Sequence, residues 1–214
     1  MGKKKSASQP EQNTKERIRA AAVREFSAHG FSGARVDRIA KTAKVNIRMI
    51  YYFFGSKKNL LEAVLSDIFR QRQARLANGF DSVGDLLVSY FDGYAEDSHR
   101  VRLLEWEALQ TKLPGGIRGL TNFKDRQEVI NRRLASIVAL QKRKIVSPEL
   151  DPKLLYLVFV ALSIYPMTFP QSVFIATGEH SGDEKFKRKY RAFLKQLADE
   201  LFPAQRVSSR ARKN

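Results

Sequence analysis

Apolar positions recur at intervals of three and four along most of the chain, the spacing that places them on one face of a helix. Ile18, Ala21, Ala22 and Phe26 make the first such face, opened by Asn13-x-x-Glu16 as a capping box and stopped by Gly30. Val36, Ile39, Ala40 and Ala43 predict a short second helix. Asn46 is placed to cap a third, with Ile50 and Phe54 turned inward. Ser56 is placed to cap a long fourth, whose stripe is Leu60, Leu61, Val64, Leu65, Ile68 and Phe69 and whose end is Asn78-Gly79. Further helices are predicted at about 82–96, 100–113, 122–144, 151–176 and 183–201, punctuated by Pro114-Gly115-Gly116, Ser147-Pro148, Asp151-Pro152 and Gly178. No strand-like alternation and no internal repeat appears. The pattern predicts an all-α fold of about nine helices. A small N-terminal bundle of three short helices (14–60) precedes a larger helical body (61–202), with basic tails at 1–13, expected to be disordered, and 203–214.

One stretch changes the picture. From Leu154 to Gly178 there is no charged residue, which is length enough to span a bilayer. Pro166 and Pro170 interrupt it, and Ser163, Thr168, Gln171, Ser172 and Thr177 dilute it. It reads as a helix buried in a core or a subunit interface, not as a membrane span.

The net charge of +17 is unevenly placed. Residues 1–60 hold 14 Lys/Arg against 4 Asp/Glu, residues 61–202 hold 21 against 18, and the last twelve hold 4 against none. A basic excess gathered at one end is the footprint of a polyanion-binding module. With 43% hydrophobic and 29% charged residues, the rest is an ordinary globular body. There is no cysteine, so neither disulfides nor thiolate chemistry enter, and a cytoplasmic setting is expected. His29, His99 and His180 lack ligand spacing, so no metal is expected. No cofactor is implied. No nucleophile–base pairing or phosphate-binding glycine loop points to an enzyme, and no apolar run follows the charged N-terminus as a secretory signal would require.

Residues 36–54 read as helix, four-residue turn, helix. Two such short helices must rest on the first through Phe26, Ile39 and Ile50, which leaves Asn46, Ile47, Arg48 and Met49 facing outward, where a recognition helix reads base edges in the major groove.

The run Thr14-Lys-Glu-Arg-Ile-x-x-Ala-Ala-x-x-x-Phe, then Gly30-Phe31, Val36, Ile39-Ala40, Ala43-x-Val45 and Ile50-Tyr51-Tyr52-x-Phe54-x-Ser56-Lys57-x-x-Leu60-Leu61, closely resembles the tetracycline-repressor (TetR) family over residues 14–65. The resemblance implies a homodimer on a palindromic double-stranded operator and a C-terminal body that binds a small effector and releases DNA. It implies base contacts from residues 46–49 and Tyr51, and phosphate contacts from Tyr52, Lys57 and the start of the first helix near Thr14. Plainer roles stay open: packing for Tyr51, a solvated charge for Lys57, and contact with phosphate or water alone for Arg48.

This chain departs from the family at Arg35, Asn46, Arg48 and Phe53, where Ser or Thr, Ser or Thr, Gly and His are common. Phe53 removes a phosphate donor and Arg35 is a candidate to replace it. Arg48 brings a guanidinium that can pair with guanine.

In the body, Trp106, Phe123, Phe159, Tyr165 and Phe169 are candidate pocket residues, and the uncharged stretch suggests a mostly apolar effector. Glu105 and Glu107 read as surface charges rather than a cation site. The dimer is expected to form through the helices at 151–176 and 183–201, with Tyr156, Val160, Ser163, Phe186, Tyr190, Phe193 and Leu197 as interface candidates. The rival function is a nonspecific, nucleoid-coating protein that uses the same basic end without choosing an operator.

Overall fold

The computed structural model describes residues 9–75, 79–110 and 123–203, with no strand among them. Ten helices follow in order: α1 (Gln9–Gly33), α2 (Val36–Ala43), α3 (Ile47–Phe54), α4 (Lys57–Arg75), α5 (Val83–Ala95), α6 (Ser98–Gln110), α7 (Phe123–Lys142), α8 (Pro152–Thr168), α9 (Pro170–Thr177) and α10 (Glu184–Leu201). Two compact units result. Of the described residues, the first takes in 9–74, 97–110 and 123–127, and the second takes in 75, 79–96 and 128–203. The division does not fall at residue 60, because α4 and α6 both belong with the first three helices.

In the first unit, Ile18, Ala22, Phe26, Ile39, Ile50 and Leu60 are wholly buried and bind α1 to α4 into one core. The predicted capping box at Asn13 is corrected: α1 already begins at Gln9, so residues 9–13 are helical, while residues 1–8 and 204–214 of the basic tails lie outside the described residues. Gly30 does break the helix, at φ 64° and ψ −178°, after which helical turns resume to Gly33. A Cβ on Gly30 would stand 2.8 Å from Cδ2 of Trp106, whose indole N–H donates to the carbonyl of Ser27 at 3.1 Å. Only glycine combines that left-handed φ with so close an approach. Thus α6 is seated on α1 by one ring. Glu107 and Arg126 form a two-bonded ion pair (2.7 and 2.8 Å), and Glu105 stands 3.4 Å from Arg102.

The second unit packs α5, α7, α8 and α10 around Leu86, Leu87, Tyr90, Phe91, Ile137, Leu140, Phe159 and Leu194. Asp151 caps α8 by accepting from the N–H groups of Lys153 and Leu154, with Pro152 in the first turn as its sequence suggests. The single helix expected at 151–176 is two: the chain bends by 84° between α8 and α9, at Phe169, immediately before Pro170. The residue before a proline is pushed out of the helical region, and Phe169 sits at φ −122° and ψ 60°. No single described helix is long and apolar enough to cross a membrane.

The face of α8 expected at an interface is the one that turns inward. Ser163 is fully buried, with its hydroxyl 2.7 Å from the carbonyl of Phe159. Phe186 is buried, and Tyr156, Val160 and Tyr190 pack against the core of their own unit. Of the seven interface candidates, Ser163 and Phe186 are corrected, being buried in their own unit; Tyr156, Val160, Tyr190 and Leu197 are half-buried and Phe193 is exposed. The outward face of α8 carries Leu154, Leu157, Val158, Ala161 and Tyr165 instead. With no charge along α8 after Lys153 in its first turn to mark the wet side, its phase is decided by the helices it meets.

Candidate nucleic-acid interface

The turn between α2 and α3 is closed by Lys44 in the left-handed region (φ 53°, ψ 50°), with the N–H of Val45 returning to the carbonyl of Ala40 at 3.0 Å. Asn46 then caps α3: its side-chain oxygen accepts from the N–H of Arg48 at 2.9 Å. Asn46 thus positions the recognition helix, and its amide NH2 stays available to a base. Ile50 is buried beneath, while Ile47, Arg48, Tyr51 and Tyr52 are exposed and Met49 is half-buried. One buried isoleucine therefore fixes the rotation of an eight-residue helix, and the rotation turns Arg48 to solvent.

Cations of neighbouring elements border α3. Lys15 of α1 stands 5.1 Å over the ring of Phe53, and Arg19 stands 5.9 Å over that of Phe54. Phe53 thus replaces a donor with a platform for a lysine, a residue the sequence pattern had not singled out. Ser56 caps α4 by accepting from the N–H of Asn59 at 3.0 Å, and Lys57 follows with its ammonium 4.7 Å over the ring of Phe31. A helix N-terminus with a tethered ammonium is a ready seat for a phosphate.

Two expected phosphate contacts are placed differently. Thr14 lies in the second turn of α1, with its hydroxyl donating to the carbonyl of Pro10 at 2.9 Å, so it is not at the helix start. The guanidinium of Arg35 is held side-on by Asp37 (3.1 and 2.9 Å), and a phosphate would have to displace that exposed carboxylate. The Arg35 hydrogen bond holds the Asp37 carboxyl below the usual range.

Behind the surface, one carboxylate organises the junction of α1 and α2. Glu25 accepts the N–H of Arg35 (2.8 Å) and the Nε–H of Arg38 (2.7 Å), while Arg38 also donates to the carbonyl of Gly33 at 2.8 Å. Burial raises the pKa of Glu25, but the Arg38 hydrogen bond, the Arg35 N–H and the charges of Arg38 and His29 outweigh it, and the net direction is downward. No local pattern announces Glu25: its partners are 10 and 13 residues away.

Residues 18–64, which span this surface, match the family described as bacterial regulatory proteins, tetR family. The chain is 32% identical over 166 residues to the HTH-type transcriptional repressor SCO4008 of Streptomyces coelicolor, covering 77% of this chain and 84% of that one. The chain belongs to the TetR family. A second relative by sequence, the HTH-type transcriptional repressor NicS of Pseudomonas putida, is 38% identical over 107 residues, 47% of this chain and 50% of that one. The crystal structure of the putative transcriptional regulator SCO4942 from Streptomyces coelicolor superposes with a TM-score of 0.70 at 26% identity, over 89% of this chain and 98% of that one. This TetR-family chain is a sequence-specific DNA-binding transcriptional regulator, and the surface built by α3 and the start of α4 is its candidate DNA interface.

The five pocket candidates of this TetR-family chain are divided between the two units. Trp106 belongs to the first unit, over Gly30. Phe159 is buried in the core of the second, where Tyr165 and Phe169 lie exposed with ring centres 5.1 Å apart. Phe123 opens α7, and its side chain lies outside the described residues.

Proposed function

We propose that the chain is a homodimeric repressor that occupies a palindromic operator and is released by a small effector held in the second unit. The observation that carries this reading is the exposed first turn of α3, with Arg48 presented to solvent by a capped helix whose other face is anchored by Ile50. Such a turn is built to read bases, and Arg48 is assigned the specific contact. Tyr52, Lys57 and Lys15 are assigned phosphates, which fix orientation without choosing a sequence.

Dimerisation is assigned to the outward face of α8. Leu154, Leu157, Val158 and Tyr165 are half or more exposed, and Phe193 of α10 is nearly so. An apolar stripe of this kind on a soluble chain favours association, and twofold pairing would place two recognition helices on two half-sites about 34–36 Å apart. An effector that prefers a dimer with a different spacing must weaken DNA binding by linkage. A cytoplasmic setting accords with this role.

Selection of binding sites from random DNA tests the reading. A single enriched palindrome is the expected result. Sequence-independent binding, governed by salt alone, would replace it with the nucleoid-coating function.

A further inference from the structure

The buried face of α7 reads Val129, Arg133, Ile137 and Leu140, one helical stripe in which an arginine occupies a place otherwise held by aliphatic side chains. Arg133 is 2% exposed. Its guanidinium lies 4.1 Å from the ring centre of Tyr90 and 5.8 Å from that of Tyr94, and Nη1 stands 3.4 Å from the Tyr94 hydroxyl. Its Nε–H is buried and has no hydrogen-bond partner, and among the described residues no carboxylate pairs with it.

A guanidinium carries five donors in a rigid fork and keeps its proton at any physiological pH, so it cannot shed its charge as a buried lysine or glutamate does. Two aromatic faces recover part of the lost hydration. They supply no acceptor for the Nε edge and no negative charge. A buried cation left in that state is costly, and a methionine or leucine would fill the stripe without the cost. The arrangement is therefore that of a half-built ion pair whose other half arrives with a ligand.

We propose that Arg133 is the anion-binding group of the effector site, and that the effector is an organic carboxylate with an apolar body. This rests on the reading of the second unit as the effector-binding part. The Nε edge of a guanidinium receives a carboxylate through two parallel N–H···O bonds. One buried cation matches a monoanion, whereas a phosphate monoester would bring nearly two negative charges to a single positive one. Tyr90, under its guanidinium, and Ile137 and Leu140 on the same stripe of α7 are apolar neighbours suited to the body of such an effector.

The test uses the full-length protein and matched probe pairs: acetate, benzoate, octanoate and palmitate, each against its neutral amide. Thermal midpoint reports binding and operator affinity reports release. For at least one pair the carboxylate is expected to bind about 10- to 100-fold more tightly than the amide. Arg133→Met should abolish that preference, and Arg133→Lys, which keeps the charge but loses the fork, should retain part of it. Wild-type protein that shows no carboxylate preference in any pair overturns the inference, whether or not the variants fold. If an amide nevertheless weakens operator binding, the effector reading survives without the anion. If a carboxylate binds through Arg133 and operator affinity is unchanged, the anion site stands and the effector reading fails.

Discussion

The hydroxyl of Tyr190 donates to the carbonyl of Leu162 at 2.8 Å, and Leu162 is the residue whose carbonyl loses its helical donor because Pro166 lies four positions on. A proline inside α8 is thus tolerated because α10 supplies the missing donor. Tyr190→Phe should cost about 1–3 kcal/mol, the penalty for leaving a buried acceptor unsatisfied. Urea denaturation checks it, and a change under about 0.3 kcal/mol would show that water does the same work. Burial pushes the Tyr190 phenol above its ordinary value of 10.0. Its contribution is complete below pH 10 and should fade only as pH rises through the higher folded value, a loss absent from the Phe variant.

Gly30→Ala forces a Cβ to within 3 Å of two Trp106 ring carbons at a φ of +64°. Left-handed strain and overpacking together should cost about 2–4 kcal/mol. Trp106 is the chain's single tryptophan, so its emission reads the displacement directly. Unchanged emission and stability would remove Trp106 from its place on α1.

Glu25→Gln keeps the shape of the α1–α2 junction and removes its charge. The folded-state pKa of Glu25 lies below 4.5, so its contribution is present above that pH and is lost as pH falls through the folded value. The variant should be less stable than wild type at pH 7, and the gap should narrow as pH falls below 4.5. Parallel stability curves across that window would contradict the assignment.

Arg48→Ala should cost about 1–3 kcal/mol on the selected site and relax preference at one base pair per half-site. Lys57→Ala should weaken binding on all sequences alike and lower the salt slope by about one unit per monomer. Affinity measured on operator and random DNA at several salt concentrations separates the two. Uniform loss from both would end the division of roles.

For assembly, Leu157→Asp or Val158→Asp on the outward face of α8 should yield monomers in sedimentation at micromolar concentration. Ser163→Ala, on the inward face, should leave the mass unchanged. The reverse result would restore the face first read from the sequence.

What the sequence alone determined were features closed within a few residues. Asn46, Ser56 and Asp151 cap helices through bonds two or three residues away, and their side chains announce this without any tertiary context. The spacing of Ile39, Ala43 and Ile50 located the helix-turn-helix for the same reason, since the period of burial is local. The tertiary structure decided what local spacing leaves degenerate. Pro166 and Pro170 look alike in the sequence, yet the chain continues through one, where Tyr190 supplies a donor, and bends at the other. Beyond Lys153 in its first turn, α8 has no charge to mark a wet side, so α5 and α10 chose its phase and moved the exposed stripe to Leu154, Leu157 and Val158. Glu25, Trp106 and Arg133 take their roles from partners 10, 79 and 39 residues away, and a pairing energy across that distance leaves no periodic trace in the chain.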